Sequence, residues 1–236
     1  MSPQTNDQKV CQSCTCWEGS HWETLTNKDL QLLNSGKSCR EFKPNEILFN
    51  EGDVCKGIYC INSGLVTVRK SGKDGDYILL RRLGQPGTTL GYRPFLADDC
   101  HRGTAVVIKP SVICFISRET LMPLLQNNPD LGLQFLKQAA IDLGNAEEEF
   151  MEPFMSARAR LAHAIILFRE QSSKEKLKIE LPLRRDDLAA MAGIHPESVT
   201  KVFRAFKNEG IAELTDHFLE IKDIDRLIGE LDPEFV

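Results

Sequence analysis

Residues 183–210 read LRRDDLAAMAGIHPESVTKVFRAFKNEG, and their periodicity decides how the C-terminal part of the chain folds. Two short amphipathic helices are expected, at 185–192 and 196–208, joined through Gly193-Ile194-His195. Leu188, Ala189 and Ala192 recur at helical spacing in the first, and Val199, Val202, Phe203 and Phe206 do so in the second. Gly193 supplies the backbone freedom of a tight corner, and Pro196 suits the first turn of the second helix. The opposite face of that helix carries Glu197, Thr200, Lys201, Arg204 and Lys207, with His195 at its entrance. An apolar side turned inward and a hydrogen-bonding side turned outward is the layout of a helix-turn-helix that enters the major groove of DNA. A plain helical hairpin with a solvated face has the same periodicity, so the pattern alone leaves both readings open.

At these residues the chain resembles the Crp/Fnr superfamily of bacterial transcription regulators, nearest the Fnr-like branch, and the likeness extends along nearly the whole sequence. The family's recognition helix has a glutamate near its start and a basic residue four positions later, which fall here on Glu197 and Lys201. Arginine is the usual basic residue, so Lys201 is a departure. The resemblance implies that Glu197, Thr200, Lys201, Arg204, Lys207 and His195 face DNA. It also implies a homodimer on a double-stranded operator with an inverted repeat, RNA polymerase as a partner if the protein activates, and no enzymatic activity.

Composition bounds the rest. A chain of 236 residues has room for two modest domains, each with its own core. It contains no apolar run of about 18 residues and starts with polar MSPQTNDQK, so a cytoplasmic protein without a membrane partner is expected. The net charge of −5 argues against indiscriminate coating of nucleic acid, yet Lys201, Arg204 and Lys207 still cluster on one face. Eight cysteines are many for a cytosolic chain, where stable disulfides are unexpected.

The expected fold class is α+β. A cysteine-rich segment (1–22) precedes a β-roll sensor of the cyclic-nucleotide-binding type (23–128), a long dimerisation helix (129–153) and a winged helix-turn-helix domain (154–236). The first ten residues read as disordered, and a short helix capped at Thr26 or Asn27 follows. Short apolar runs at 46–49, 58–61, 65–69, 77–83, 104–108 and 112–116 alternate with glycine turns, the pattern of a barrel or sandwich. A short helix is expected at 119–126. In the long helix, Leu133, Leu136, Ala140, Leu143, Phe150 and Phe154 lie three and four apart, interrupted by Glu147. Packing of that face on its own β-roll is the alternative to a dimer seam, which the resemblance favours. Pro153 marks the hinge into the second domain; a helix at 156–170, a wing at 211–214 and 218–221, and a last helix at 223–231 complete it.

The family's cyclic-nucleotide site uses a Gly-Glu pair for the ribose and an Arg-Ser pair for the phosphate. Read onto 87–91 and 100–104, Thr88 stands for the glutamate and Gly103 follows Arg102 in place of serine, so cyclic AMP is not the expected effector. The cysteines carry the sharper signal. CQSCTC at 11–16 resembles the opening of the cluster-binding segment of the Fnr branch, and Cys114 falls on the strand that supplies its distant thiolate. The resemblance implies an iron–sulfur cluster, of [4Fe–4S] type, held by Cys11, Cys14, Cys16 and Cys114. Cys16 is out of the family's spacing, and His21 and Cys39 are the substitutes. A zinc or dithiol site, a thiol switch, or plain packing without a cofactor fit the same residues, and a regulator that answers to an unknown small ligand is the alternative to a cluster. From other classes, a redox enzyme or a protein-binding scaffold are the alternatives to a regulator.

Overall fold

The computed structural model describes residues 10–14, 16–18, 20–71, 77–149, 155–172, 177–180, 185–215 and 218–231. The polar start up to residue 9, the turn at 73–76, the Pro153 hinge, and Phe150 and Phe154 of the expected seam lie outside the described residues. Two compact units are formed: residues up to Lys70 with Leu80–Asn145, and Ser71–Leu79 with the chain from Ala146.

In the first unit, single 3-10 turns at Cys11–Ser13 and His21–Thr24 lead to α1, Asn27–Gly36. Thr26 caps α1 by accepting from the Asp29 N–H at 3.3 Å. There follow β1 (Lys37–Phe42), β2 (Ile47–Phe49), β3 (Gly57–Ser71), β4 (Tyr77–Gly84), β5 (Thr89–Leu90) and α2 (Tyr92–Leu96), then β6 (Thr104–Ser117), α3 (Arg118–Asn127) and α4 (Pro129–Glu149). The sheet runs β1-β6-β3-β4, with β2 also on β6 and β5 on β3. Phe42, Phe49, Val66, Val107 and Ile113 fill its interior. Leu33, Ile58, Phe95, Leu121 and Phe135 form a second core, where the helices cover the sheet. These buried side chains supply most of the unit's stabilisation, at about 25 cal/mol per Å² removed from water.

The sequence pattern divides β3 and β6 into four strands, whereas each is continuous. They pair along their whole length, with register shifts between Ile61 and Val66, so both bend without ending. Gly64, at φ +97°, sits at the bend, where a Cβ would lie 2.0 Å from the Ser111 Oγ and 2.6 Å from the Pro110 carbonyl. Only glycine admits that approach. Strand β1 and helix α2 were not among the expected elements.

Helix α4 has two faces. Leu131 and Phe135 are buried against the roll, and Asp142 on the same side accepts from the Tyr92 hydroxyl at 2.7 Å and from Gln138 at 2.8 Å. Leu133, Leu136 and Leu143 are 47, 63 and 61 % exposed, and Ala140 between them is exposed too.

The second unit comprises α5 (Ala157–Ser172), β7 (Lys178–Glu180), α6 (Arg185–Ala192), α7 (Pro196–Asn208), β8 (Ala212–Leu214), β9 (Phe218–Ile221) and α8 (Ile224–Ile228). The strands form an antiparallel sheet in the order β7-β9-β8, whose β8–β9 hairpin is the wing. Thr215 closes that hairpin with backbone and side-chain bonds to Phe218. Leu161, Ile165, Phe168, Leu188, Phe206 and Leu219 form the core. Arg158 of α5 binds both Glu209 and Glu230 and lies 4.8 Å from the centre of the Phe206 ring. Those bonds hold the Glu209 carboxyl below the usual carboxylate range.

Candidate functional site

The geometry of α6 and α7 follows from their sequence. Leu188, Ala189 and Ala192 on α6 and Val199, Phe203 and Phe206 on α7 are buried, so each helix presents its apolar face to the core. Gly193 turns the corner at φ +58°, and its carbonyl accepts from Arg160 at 2.8 Å. His195 caps α7, its Nδ1 accepting from the Glu197 N–H, and Pro196 opens the helix. His195, Glu197, Thr200, Lys201, Arg204 and Lys207 are all exposed. Glu197, Lys201 and Arg204, spaced four and three apart, share one face. Lys207 is also engaged by Glu213 on β8, a pairing across a turn that the linear pattern did not show.

A second site lies in the first unit. Cys11, Cys14, Cys16, Cys60 and Cys114 line a single pocket, together with Trp17, Trp22 and Lys37. The N-terminal segment is folded over the sheet rather than being a loose loop. The Cys11 N–H donates to Asn34 at 2.9 Å, Lys37 Nζ donates to the Cys11 sulfur at 2.8 Å, and the Cys16 thiol donates to the Asn62 carbonyl at 3.4 Å. Beneath it, three cysteines stand side by side on adjacent strands. Cys114 of β6 is opposite Cys39 of β1 on one side and Cys60 of β3 on the other. Cys39 and Cys114 are joined in a disulfide, so Cys114 reaches the pocket as half of a cystine. Burial pushes the Cys60 thiol up to about 12, and the neighbouring Cys11 and Cys14 sulfurs add to the effect.

Three of the four expected ligands are therefore thiols of one pocket, with Cys114 beside them as a disulfide sulfur. Cys60 belongs to the same pocket and was missed, because its proximity depends on strand register. Of the substitutes, Cys39 is in the disulfide, and His21 packs on Phe135 at 4.9 Å and lines a separate polar pocket with Gln85, Thr88 and Gln138. Among the described residues no group of three His, Cys, Asp or Glu side chains is poised to hold a metal as the chain stands. The donor chemistry nonetheless fits: soft sulfur atoms gathered in one pocket suit iron, zinc or an iron–sulfur group. Cys55 is buried elsewhere, its thiol bonded to the Gly57 carbonyl. Arg102, considered above for a phosphate, is 80 % exposed and paired with Asp99 at 2.7 Å.

A β-roll and a winged helix-turn-helix in one chain are the two parts of a DNA-binding transcription regulator. Residues 39–128 match the cyclic nucleotide-binding domain, and residues 159–229 the Crp-like helix-turn-helix domain. The chain belongs to the Crp/Fnr family of transcription regulators. It is 26 % identical over 200 residues to the cyclic AMP receptor protein of Thermus thermophilus, covering 84 % of this chain and 90 % of that one. It is 24 % identical over 226 residues to the anaerobic regulatory protein of Haemophilus influenzae, covering 92 % and 86 %. Among solved structures, FixK2 from Bradyrhizobium japonicum shares the fold at a TM-score of 0.73 and 18 % identity, covering 83 % of this chain and 98 % of that one. No helix among the described residues is long and apolar enough to cross a membrane.

Proposed function

We propose that this regulator is a cytoplasmic homodimer that reads redox state, oxygen foremost, at the N-terminal cysteine pocket and binds an inverted-repeat operator. The dimer is held along Leu133, Leu136, Ala140 and Leu143 of α4. RNA polymerase is its partner where it activates. One observation carries the sensory reading: Cys11, Cys14 and Cys16 line a pocket with thiol and disulfide sulfurs of the sheet beneath them.

The group that suits those donors is an iron–sulfur cluster, which when bound supplies an oxidant-labile centre. The chain's own residues connect the pocket to α4. Trp22 lines the pocket and packs edge-on against Phe135 of α4, ring centres 6.0 Å apart. The Thr24 carbonyl accepts from Asn128, whose other side-chain atom caps Leu131 at the start of α4. A change in how the segment is held thus reaches the helix that carries the dimer seam. Replacing Cys11 or Cys14 by serine is expected to abolish iron, acid-labile sulfide and visible absorbance together in protein purified without oxygen. Colourless, iron-free wild-type protein would overturn the cluster reading. The Cys39–Cys114 disulfide favours a second reading, a response to thiol oxidation. Its signature is operator affinity that changes with a dithiol reductant in metal-free protein.

At the DNA, Glu197 accepts from a cytosine amino group and Lys201 donates to a guanine, in half-sites containing TGA and TCA. Glu197→Ala is expected to relax preference at one base pair by about 1–3 kcal/mol, while Arg204→Ala weakens all sequences alike. Selection from a randomised operator library checks this. An unchanged consensus with Glu197→Ala removes Glu197 from base readout.

A further inference from the structure

We infer that the polar cleft at His21, Gln85, Thr88 and Gln138 is a binding site for an uncharged polyhydroxy compound, a sugar or polyol, whose occupancy is felt at α4. The cleft has a volume of about 310 Å³, at the small end of the roughly 300–1,000 Å³ that ligand sites span. It shares only Gly87 with the cysteine pocket and has no sulfur in its lining among the described residues, so neither the cluster nor the thiol reading is needed for it. Three elements meet there: the 3-10 turn that starts at His21, the turn from β4 to β5 with Gln85 and Thr88, and α4 with Gln138.

The hydrogen-bonding capacity of the lining is only partly taken up within the chain. Thr88 Oγ1 accepts from the Gln85 N–H at 3.1 Å, which leaves its hydroxyl proton to donate. Gln138 Nε2 donates to Asp142 at 2.8 Å, which leaves its amide oxygen to accept. The half-buried Gln85 amide has both functions, and its side chain has no hydrogen-bond partner among the described residues. A donor, an acceptor and a group that is both match hydroxyl groups, each of which donates and accepts. Among the described residues no Lys, Arg, Asp or Glu side chain lines the cleft, so a phosphate or carboxylate finds no counter-charge from them. Arg102 is absent from the lining and paired with Asp99, which separates the cleft from the nucleotide site that the family resemblance places at 100–104. A compound held here joins the β4–β5 turn to Gln138, which lies two residues from both Leu136 and Ala140 on the exposed face of α4. It also engages the 3-10 turn whose Thr24 carbonyl is bonded to Asn128.

The test uses the full chain with D-ribose, D-glucose, D-mannitol and myo-inositol as probes, and the monophosphate of each as its charged counterpart. Saturation-transfer-difference NMR and calorimetry read binding, and the anisotropy of a labelled operator reads the coupling. At least one neutral probe is expected to bind below ~1 mM, with its monophosphate at least ~10-fold weaker. Gln85→Met, Thr88→Val and Gln138→Leu each remove one polar group at nearly constant volume and are expected to weaken binding about 3–10-fold. Far-ultraviolet circular dichroism confirms the folding of each, and Arg102→Ala is expected to leave binding unchanged. A saturating probe is expected to change operator affinity about 5-fold or more. If no neutral probe binds below ~10 mM, the inference is overturned and the cleft holds water. Monophosphates that bind as well or better, through His21 as the titratable side chain of the lining, overturn the uncharged class. Binding that all three folded variants retain, or that Arg102→Ala removes, puts the probe elsewhere and overturns the site. Binding without any change in operator affinity upholds the site and overturns its coupling to α4.

Discussion

Leu136→Glu is expected to convert the protein to monomers and to lower its affinity for a full operator at least ~100-fold. Leu136 is 63 % exposed on α4, between Leu133 and Leu143, on the face turned away from the roll. A second copy of α4 packed there would bury that leucine, and an unpaired carboxylate in its place costs about 3–5 kcal/mol. Every 1.4 kcal/mol is tenfold in a dissociation constant, so a modest helical dimer does not survive the change. A monomer holds one half-site, and most of the specific affinity goes with the second. Leu136→Ala removes contact area without adding charge and is expected to weaken the dimer only in part. Sedimentation of both variants decides the matter. Unchanged dimers with Leu136→Glu would move the interface off this face.

Phe206→Ala is expected to destabilise the DNA-binding unit by about 3–5 kcal/mol. Phe206 is fully buried, meets Phe203 edge-on with ring centres 6.3 Å apart, and lies beneath the Arg158 guanidinium. Truncation leaves a void against α5 and removes the surface on which Arg158 is laid. Whole domains are stable by only about 5–15 kcal/mol, so the loss takes a large share of what holds α7 in place. Phe206→Leu, which refills most of the volume, should recover more than half of it. Thermal unfolding followed by circular dichroism gives both numbers. A cost below about 1 kcal/mol would show that the core closes over the gap.

The recognition helix was legible because its signals are local. Helical spacing, the Gly193 corner and Pro196 all act within a few residues, and the bounds of α6 and α7 agree with those expected. The wing was legible for the same reason. The β-roll was legible as a class but not in detail: the apolar runs at 58–61 and 65–69, and at 104–108 and 112–116, read as separate strands, whereas paired bends let both strands continue. Strand β1 escaped notice because KSCREF alternates weakly, and its place in the sheet comes from pairing with β6.

The cysteine pocket shows where local reading ends. Cys11, Cys14 and Cys16 stand out as a motif, and Cys114 was reached through family resemblance. Nothing within ten residues of Cys60 or Cys39 marks either as a neighbour of Cys114. That information resides in the register of β1, β6 and β3, which is set by hydrophobic faces and bulges across the whole sheet. Lys207 repeats the point, since Glu213 reaches it only after the chain has turned into β8.

The chain has two tryptophans, Trp17 and Trp22, and both line the thiol pocket. All indole emission from the unlabelled protein therefore originates in the first unit, and the helix-turn-helix unit is dark at wavelengths that excite tryptophan alone. Sulfur atoms are efficient quenchers at short range, so the emission should follow events at Cys11, Cys14, Cys16 and Cys60. The same signal works in reverse. Operator DNA absorbs in the ultraviolet and carries no indole, so any residual change in emission on adding it, after inner-filter correction, reports optically on whether the grip on DNA is felt at the thiols.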